Sequence, residues 1–325
     1  MLVLNEKDCA KLSNMTEVID SVAQALQEYS SGRTITPIRT VLPVKKTNGN
    51  ALFMPSVAEE AGSLGMKFVS VFPSNKIQGK KTINGVVLLA DIETGEPLAM
   101  LEGSYLTVLR TGALSGLATK YLSRDDSKTL CIIGTGEQAK GLCDAVLAVR
   151  DIETIHLYNR SEKKARDFAR YIEERYHVDV FVHHDPDEAI DGADIVVTAT
   201  NASTPVFSRT LRPGTHVNAV GSFRPTMQEL PTHVVAKADK VVVEAKDAAL
   251  EETGDLLTPI REGVFSETRI HAELGQIVNN DIKGRERGKE ITVFKSVGLA
   301  VADIVVAKHL YEKAVEHNIG QKVEL

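Results

Sequence analysis

Apolar residues at Met15, Val18, Val22, Ala25, Leu26 and Tyr29 recur at the spacing of one helical face, which predicts a helix over 13–31 with Ser13 as its cap. After Gly32 the pattern shortens to runs rich in β-branched residues. Strands are predicted over 40–44, 51–54, 65–72, 85–91 and 98–102, with turns at Thr47-Asn48-Gly49-Asn50 and Glu93-Thr94-Gly95-Glu96. This first section reads as an α+β unit built on an antiparallel meander. The period becomes helical again over 105–122, where the small residues of Thr111-Gly112-Ala113-Leu114-Ser115-Gly116 allow close packing. Strands and helices then alternate: strand 129–133, helix 137–149, strand 154–158, helix 162–176, strand 180–182, helix 187–190, and strands 195–198, 216–219 and 240–243. Such alternation is the signature of an α/β parallel sheet with crossover helices. The last helix, 298–315, is mostly apolar at its start and is expected to pack onto the first section or across an interface.

Composition narrows the partners. A chain of 325 residues with 43% hydrophobic residues has material for two cored domains. The formal net charge of -6 offers no basic surface to phosphate backbones, so nucleic acid is not an expected partner. Residues 1–13 lack the basic and apolar segments of a signal peptide, and no apolar run is long enough to cross a bilayer, so a cytoplasmic protein with no membrane partner is expected. Cys9, Cys131 and Cys143 show no metal-ligand spacing and read as buried thiols, while His183 and His184 precede an Asp-Pro turn and read as a solvated loop. No metal site is expected.

Strand 129–133 runs directly into Gly134-Thr135-Gly136-Glu137-Gln138-Ala139 and then into a helix, the context that a dinucleotide fingerprint requires. In that pattern Gly134 makes the tight turn, Gly136 lets the backbone approach a pyrophosphate, and Ala139 seats the helix close to the strand. The free N–H groups and positive end of the helix suit phosphate. The second strand ends in Asn159-Arg160-Ser161, without the carboxylate that would bond a free ribose 2′-hydroxyl. Arg160 is suited to a 2′-phosphate, and Lys164, one helical turn beyond Ser161, adds charge. NADP(H) is therefore the expected cofactor, with NAD(H) as the alternative.

Several segments together resemble the ornithine cyclodeaminase and mu-crystallin family, which includes ketimine reductases, pyrroline-2-carboxylate reductases and an archaeal-type alanine dehydrogenase. They are Pro37-Ile38-Arg39-Thr40, Gly65-Met66-Lys67-Phe68-Val69, Leu109 through Ser115, the glycine turn, Asn218-Ala219-Val220-Gly221, Ala272-Glu273-Leu274-Gly275 and Phe294-Lys295-Ser296-Val297-Gly298. The resemblance implies a Rossmann domain (121–298) beside a mixed substrate-binding domain (1–120 with 299–325) that forms a homodimer through its sheets. It implies that Arg39, Lys67 and Arg110 hold a substrate carboxylate, which makes chemical sense because Cα must be pinned facing the nicotinamide. It also implies cofactor contacts at Thr82, Thr135, Gly136, Glu137, Gln138, Asn159, Arg160, Ser161, Thr200, Val220 and Ser296.

One departure narrows the reaction. Cyclodeaminase and alanine dehydrogenase members of the family carry an aspartate where this chain has Phe223. Phenylalanine cannot act as a general base, so release of ammonia from ornithine or alanine is disfavoured. Reduction of a preformed cyclic imine needs only a pinned carboxylate, a hydride donor and one proton. The expected activity is thus NADPH-dependent reduction of Δ1-pyrroline-2-carboxylate or Δ1-piperideine-2-carboxylate to proline or pipecolate, with Lys67 sharing in the proton transfer. The alternatives are an ornithine cyclodeaminase or amino acid dehydrogenase using another base, and a non-catalytic NADP(H)-binding protein.

Overall fold

In the computed structural model, which describes residues 1–324, the backbone divides into two compact units: Met1–Arg110 with Leu299–Leu325, and Thr111–Gly298. The first begins with β1 (Leu2–Leu4), α1 (Glu6–Leu12), α2 (Met15–Ser30), β2 (Thr34–Ile35) and β3 (Thr40–Val44). It continues through β4 (Gly49–Ala58), β5 (Ser63–Val71), β6 (Ile83–Ala90), β7 (Pro97–Glu102) and α3 (Gly103–Leu122), which runs across the division. Strands β4 to β7 form the antiparallel meander expected from the alternating pattern, β1 adds to β7 in parallel, and β2 and β3 both pair with β4. The register sets Lys67 of β5 between Met54 of β4 and Val87 of β6, both buried apolar residues.

Helix α2 buries Val18, Val22, Ala25 and Leu26 of the predicted stripe together with Ile19, while Met15 and Tyr29 at its ends are half-buried. Its cap is Asn14 rather than Ser13: the Asn14 Oδ1 accepts from the amides of Thr16 and Glu17, whereas the Ser13 hydroxyl closes the end of α1 by donating to the carbonyl of Ala10. A carboxamide oxygen one residue later reaches the free amides, and that is why the helix starts there.

The second unit comprises β8 (Thr129–Ile133), α4 (Glu137–Val149), β9 (Thr154–Tyr158), α5 (Glu162–Glu173), β10 (Asp179–His183), α6 (Pro186–Ala189), β11 (Ile195–Thr198) and β12 (His216–Ala219). It ends with α7 (Thr232–Lys237), β13 (Lys240–Val243), α8 (Lys246–Glu252), α9 (Gly254–Arg261), β14 (Ile270–Glu273), α10 (Leu274–Val278) and β15 (Thr292–Lys295). All eight strands are parallel, in the order β10-β9-β8-β11-β12-β15-β13-β14. The apolar runs of β8 and β11 are buried on both faces, as strands covered by helices on two sides must be. The chain leaves β8 first towards β9 and later returns to β11 on its other side, so the strand order reverses there, and ligands of open α/β sheets bind outside the carboxyl ends at such a reversal. Gly112 of α3 lies against Gly141 of α4 so closely that a Cβ would meet the Gly141 carbonyl oxygen at 2.2 Å, the close packing expected of the small-residue run.

The chain then returns to the first unit as α11 (Ala300–Glu316) and β16 (Gln321–Lys322). Helix α11 packs on α2 and on the meander, where Lys308 Nζ donates to the carbonyl of Ala61 and Lys313 pairs with Glu17. His183 differs from expectation in belonging to β10, with its Nε2 2.7 Å from Nδ1 of His156. Cys9, Cys131 and Cys143 are buried and free. Among the described residues no helix is long and apolar enough to cross a membrane, and no group of three or more His, Cys, Asp or Glu side chains could hold a metal.

Candidate active site

The glycine turn stands at the reversal point. Gly134 has φ +98, and its amide donates to the Tyr158 carbonyl, so the turn leans on the end of β9. A Cβ on Gly134 would lie 2.6 Å from the Ala199 carbonyl oxygen and 2.7 Å from Cγ2 of Thr200, which explains the glycine on both torsional and steric grounds. Gly136 is the N-cap of α4, no side chain caps that end, and a Cβ there would meet nothing within 4 Å. Glu137 opens the helix, Gln138 follows and Ala139 is fully buried. Thr135 Oγ1 and Gln138 Oε1 are buried without a partner among the described residues. An uncapped helix start, open space over Gly136 and orphaned polar atoms beside it fit the pyrophosphate of a dinucleotide.

Asn159, Arg160 and Ser161 follow β9. The Asn159 side chain bridges the turn, accepting from the Thr135 amide at 3.4 Å and donating to the Ser161 carbonyl at 3.0 Å. Arg160 is exposed and makes no ion pair among the described residues, and Lys164 is exposed on the first turn of α5. Thr200 and Val220 sit at the carboxyl ends of β11 and β12, and Ser296 follows β15, its hydroxyl donating to Glu244 at 2.9 Å. The topology thus gathers every candidate cofactor residue of this unit at one end of one sheet. Thr82, just before β6, belongs to the first unit.

A buried carboxylate ties the ends of β11 and β12 together. Glu229, fully buried, accepts from the Thr200 amide at 2.6 Å and hydroxyl at 2.8 Å, and from the Thr198 hydroxyl at 3.1 Å. It also accepts from the amides of Gly221 at 2.7 Å and Ser222 at 3.2 Å. Behind it, Asp255 accepts from the amides of Glu229 and Leu230 and pairs with Lys295 at 2.9 Å, all within the core. Phe223, half-buried beside these amides, has the Arg224 guanidinium 5.5 Å from its ring centre. None of Glu229, Asp255 and Lys295 stood out as a site residue in the sequence.

The first unit holds the cation cluster. Lys67 and Arg110 are both buried, and both contact Asp303 of α11: Oδ1 accepts from Arg110 Nε at 2.9 Å, and Oδ2 pairs with Lys67 Nζ at 2.7 Å. Burial, with Arg110 and then Arg39 beside it, pushes the Lys67 amine down to about 8 against the pull of Asp303. Burial alone would raise the Asp303 carboxyl, but Arg110 and Lys67 outweigh it and hold it below the usual carboxylate range. Arg39 is half-buried and near enough to act on Lys67. Lys67, Arg110 and the single carboxylate of Asp303 sum to +1, in a setting where unpaired charge is costly. An incoming carboxylate would relieve that cost. Asp303 was missed in the sequence, although a lone acid in the apolar run Ala300 to Ala307 is a signal, because buried charges are paired.

The model of the ornithine cyclodeaminase/mu-crystallin family matches residues 1–318. The chain belongs to this family. Within it, the chain is 63% identical over 324 residues to a Δ1-pyrroline-2-carboxylate reductase of Bacillus cereus, with 100% of both chains covered. Among solved structures it is similar to a Δ1-pyrroline-2-carboxylate reductase of Thermococcus litoralis in complex with NADH and L-proline: TM-score 0.94, 43% identity, 99% of this chain and 100% of that one. It is also similar to an archaeal alanine dehydrogenase dimer with bound NAD, with TM-score 0.93, 34% identity and coverage of 100% and 99%. Full-length likeness to reductases and dehydrogenases makes the chain an oxidoreductase of this family, as its motifs led us to expect.

Proposed function

We propose that the chain reduces Δ1-pyrroline-2-carboxylate to proline with NADPH, and that Δ1-piperideine-2-carboxylate is a second substrate. The observation that carries this reading is the buried set of Arg110, Lys67 and Asp303 with Arg39 beside it, a carboxylate receptor in a chain that also has an uncapped dinucleotide turn. Likeness to reductases that include one holding NADH and L-proline supports the choice of ring. Gly134 to Ala139, Asn159, Thr200, Val220 and Ser296 would hold the dinucleotide, which when bound supplies a hydride. Arg39 and Arg110 hold the substrate carboxylate, fixing the C=N carbon for attack. Lys67 gives its proton to the ring nitrogen, so that one hydride and one proton convert C=N to CH–NH. Phe223 offers no base, which favours reduction over ammonia release.

Preference for the phosphorylated cofactor rests on Arg160, exposed at the end of β9 with no carboxylate alongside. The exposed apolar residues Ile35, Val41, Leu42, Ile77 and Ile83 of the first unit support a homodimer. Light scattering should then give twice the chain mass. Oxidation of NADPH and NADH followed at 340 nm, with each cyclic imine and with pyruvate plus amine, tests the function. Turnover of the five-membered imine with NADPH foremost is expected. Release of ammonia and proline from L-ornithine with no imine reduction would overturn it.

A further inference from the structure

We propose that Asp303 is a positioning residue for this reaction: its carboxylate fixes the Arg110 guanidinium through Nε and keeps the proton on Lys67. The proposal rests on reading the cluster as the substrate carboxylate site, and it assigns a role to a residue that none of the recognised motifs contains. Asp303 is fully buried on α11 and divides its two oxygens between two cations, 2.9 Å to Arg110 Nε and 2.7 Å to Lys67 Nζ. Because Nε is the point held, the two terminal nitrogens of the guanidinium stay free to fork onto a substrate carboxylate.

The groups facing Lys67 act in opposite directions. Met54 and Val87 flank it on the neighbouring strands and withhold solvent, Arg110 of α3 and Arg39 before β3 repel its charge, and Asp303 favours it. Asp303 also sets how the site responds to its own loss. Loss of the carboxylate would add one positive charge to the cluster, and Lys67, already poised at about 8, would release its proton near neutrality and cancel that change. Net charge, and so attraction for a carboxylate, is thereby buffered. What is lost is the aim of Arg110 and the proton needed at the ring nitrogen. A charge deletion here should therefore act on the pH profile and turnover more than on electrostatic capture.

The test is the pH profile of kcat/KM for imine reduction, from pH 5.5 to 10, in wild type, Asp303→Asn and Asp303→Glu, with melting temperature and NADPH affinity measured beside it. In wild type the alkaline limb is expected near pH 8. In Asp303→Asn it should move down by about one pH unit or more, with kcat at neutral pH reduced about tenfold and NADPH affinity unchanged. Asp303→Glu should restore the limb while raising KM, because the carboxylate returns on a longer arm. Equal limbs in wild type and Asp303→Asn would overturn the proposal. If Asp303→Asn does not fold, Asp303→Glu carries the test, and a KM equal to wild type overturns it. Calorimetric binding of L-proline to the NADPH complex over the same range separates this idea from the proposed reaction. A wild-type enzyme that binds proline with an Asp303-dependent limb yet reduces no imine would sink only the reaction.

Discussion

Replacing Glu229 by Gln tests the buried network that joins the ends of β11 and β12. Five donors converge on the carboxylate: the Thr200 amide and hydroxyl on one oxygen, and the Gly221 amide, the Ser222 amide and the Thr198 hydroxyl on the other. A carboxamide has one acceptor oxygen and one donor nitrogen. Turned one way, its NH2 faces the Thr200 amide; turned the other, it faces two amides, those of Gly221 and Ser222. The cheaper orientation still leaves one buried amide without an acceptor, at a cost of about 1–3 kcal/mol. For a unit the size of Thr111–Gly298 that corresponds to a fall in melting temperature of roughly 2–4 °C per kcal/mol.

Because Thr200 and the Gly221 strand end are displaced together, dinucleotide affinity should fall as well, by about tenfold for each 1.4 kcal/mol transferred to the site. Burial pushes the Glu229 carboxyl up, with Lys295 opposing, and a protonated Glu229 would be well mimicked by Gln. The donor count argues for the ionised form, since a protonated oxygen would need an acceptor where backbone amides offer none. Scanning calorimetry and fluorescence titration with NADPH decide the matter. A Gln variant that melts and binds like wild type would refute the ionised network.

Four further outcomes are expected. Arg160→Ser should lower kcat/KM with NADPH by about 10–100-fold and leave NADH nearly unchanged, since a charge-assisted contact to phosphate contributes about 1.5–3 kcal/mol; equal losses with both cofactors would mean Arg160 does not read the 2′-phosphate. With the Lys67 amine lowered to about 8, kcat/KM should be flat below that pH and fall above it as the proton is lost, in steady-state runs at fixed ionic strength. A limb near the ordinary lysine value would show that Lys67 is not the titrating group. Gly134→Ala meets the Ala199 carbonyl oxygen at 2.6 Å in a backbone conformation with φ +98, so NADPH binding and melting temperature should both drop; retention of either would place the turn differently. Arg110→Ala should abolish turnover with cofactor affinity retained, and a parallel loss of both would make the residue structural.

The alternation of apolar residues made the architecture legible because periods of 2 and 3.6 are properties of the backbone itself. The meander and the parallel run β8 to β12 follow from it, whereas the apolar start of α11 allowed either a return to the first unit or an interface, and the fold shows the return. Short elements with mixed polarity did not announce themselves: α7 to α10, β14 and β15 lie in a stretch where charged and apolar residues are held by tertiary contacts rather than by a local stripe. The same holds for the site. The glycine turn and Arg160 are local chemistry and could be read directly. Asp303 meets Arg110 across 193 residues of sequence, and Glu229 meets Thr200 across 29, so their partnerships exist only once the sheets are formed. Ser13 shows the small-scale version, where two adjacent cap-forming residues compete and only geometry chooses Asn14.

The proposed reaction stands or falls on delivery of a hydride to the imine carbon of a carboxylate-pinned ring. Incubation with Δ1-pyrroline-2-carboxylate and NADPH deuterated at nicotinamide C4, followed by mass spectrometry and NMR of the product, measures that directly. Proline carrying deuterium at Cα is expected when the transferred face is labelled, and none when the other face is. Unlabelled proline from either cofactor, or NADPH that binds without any proline forming, would contradict it.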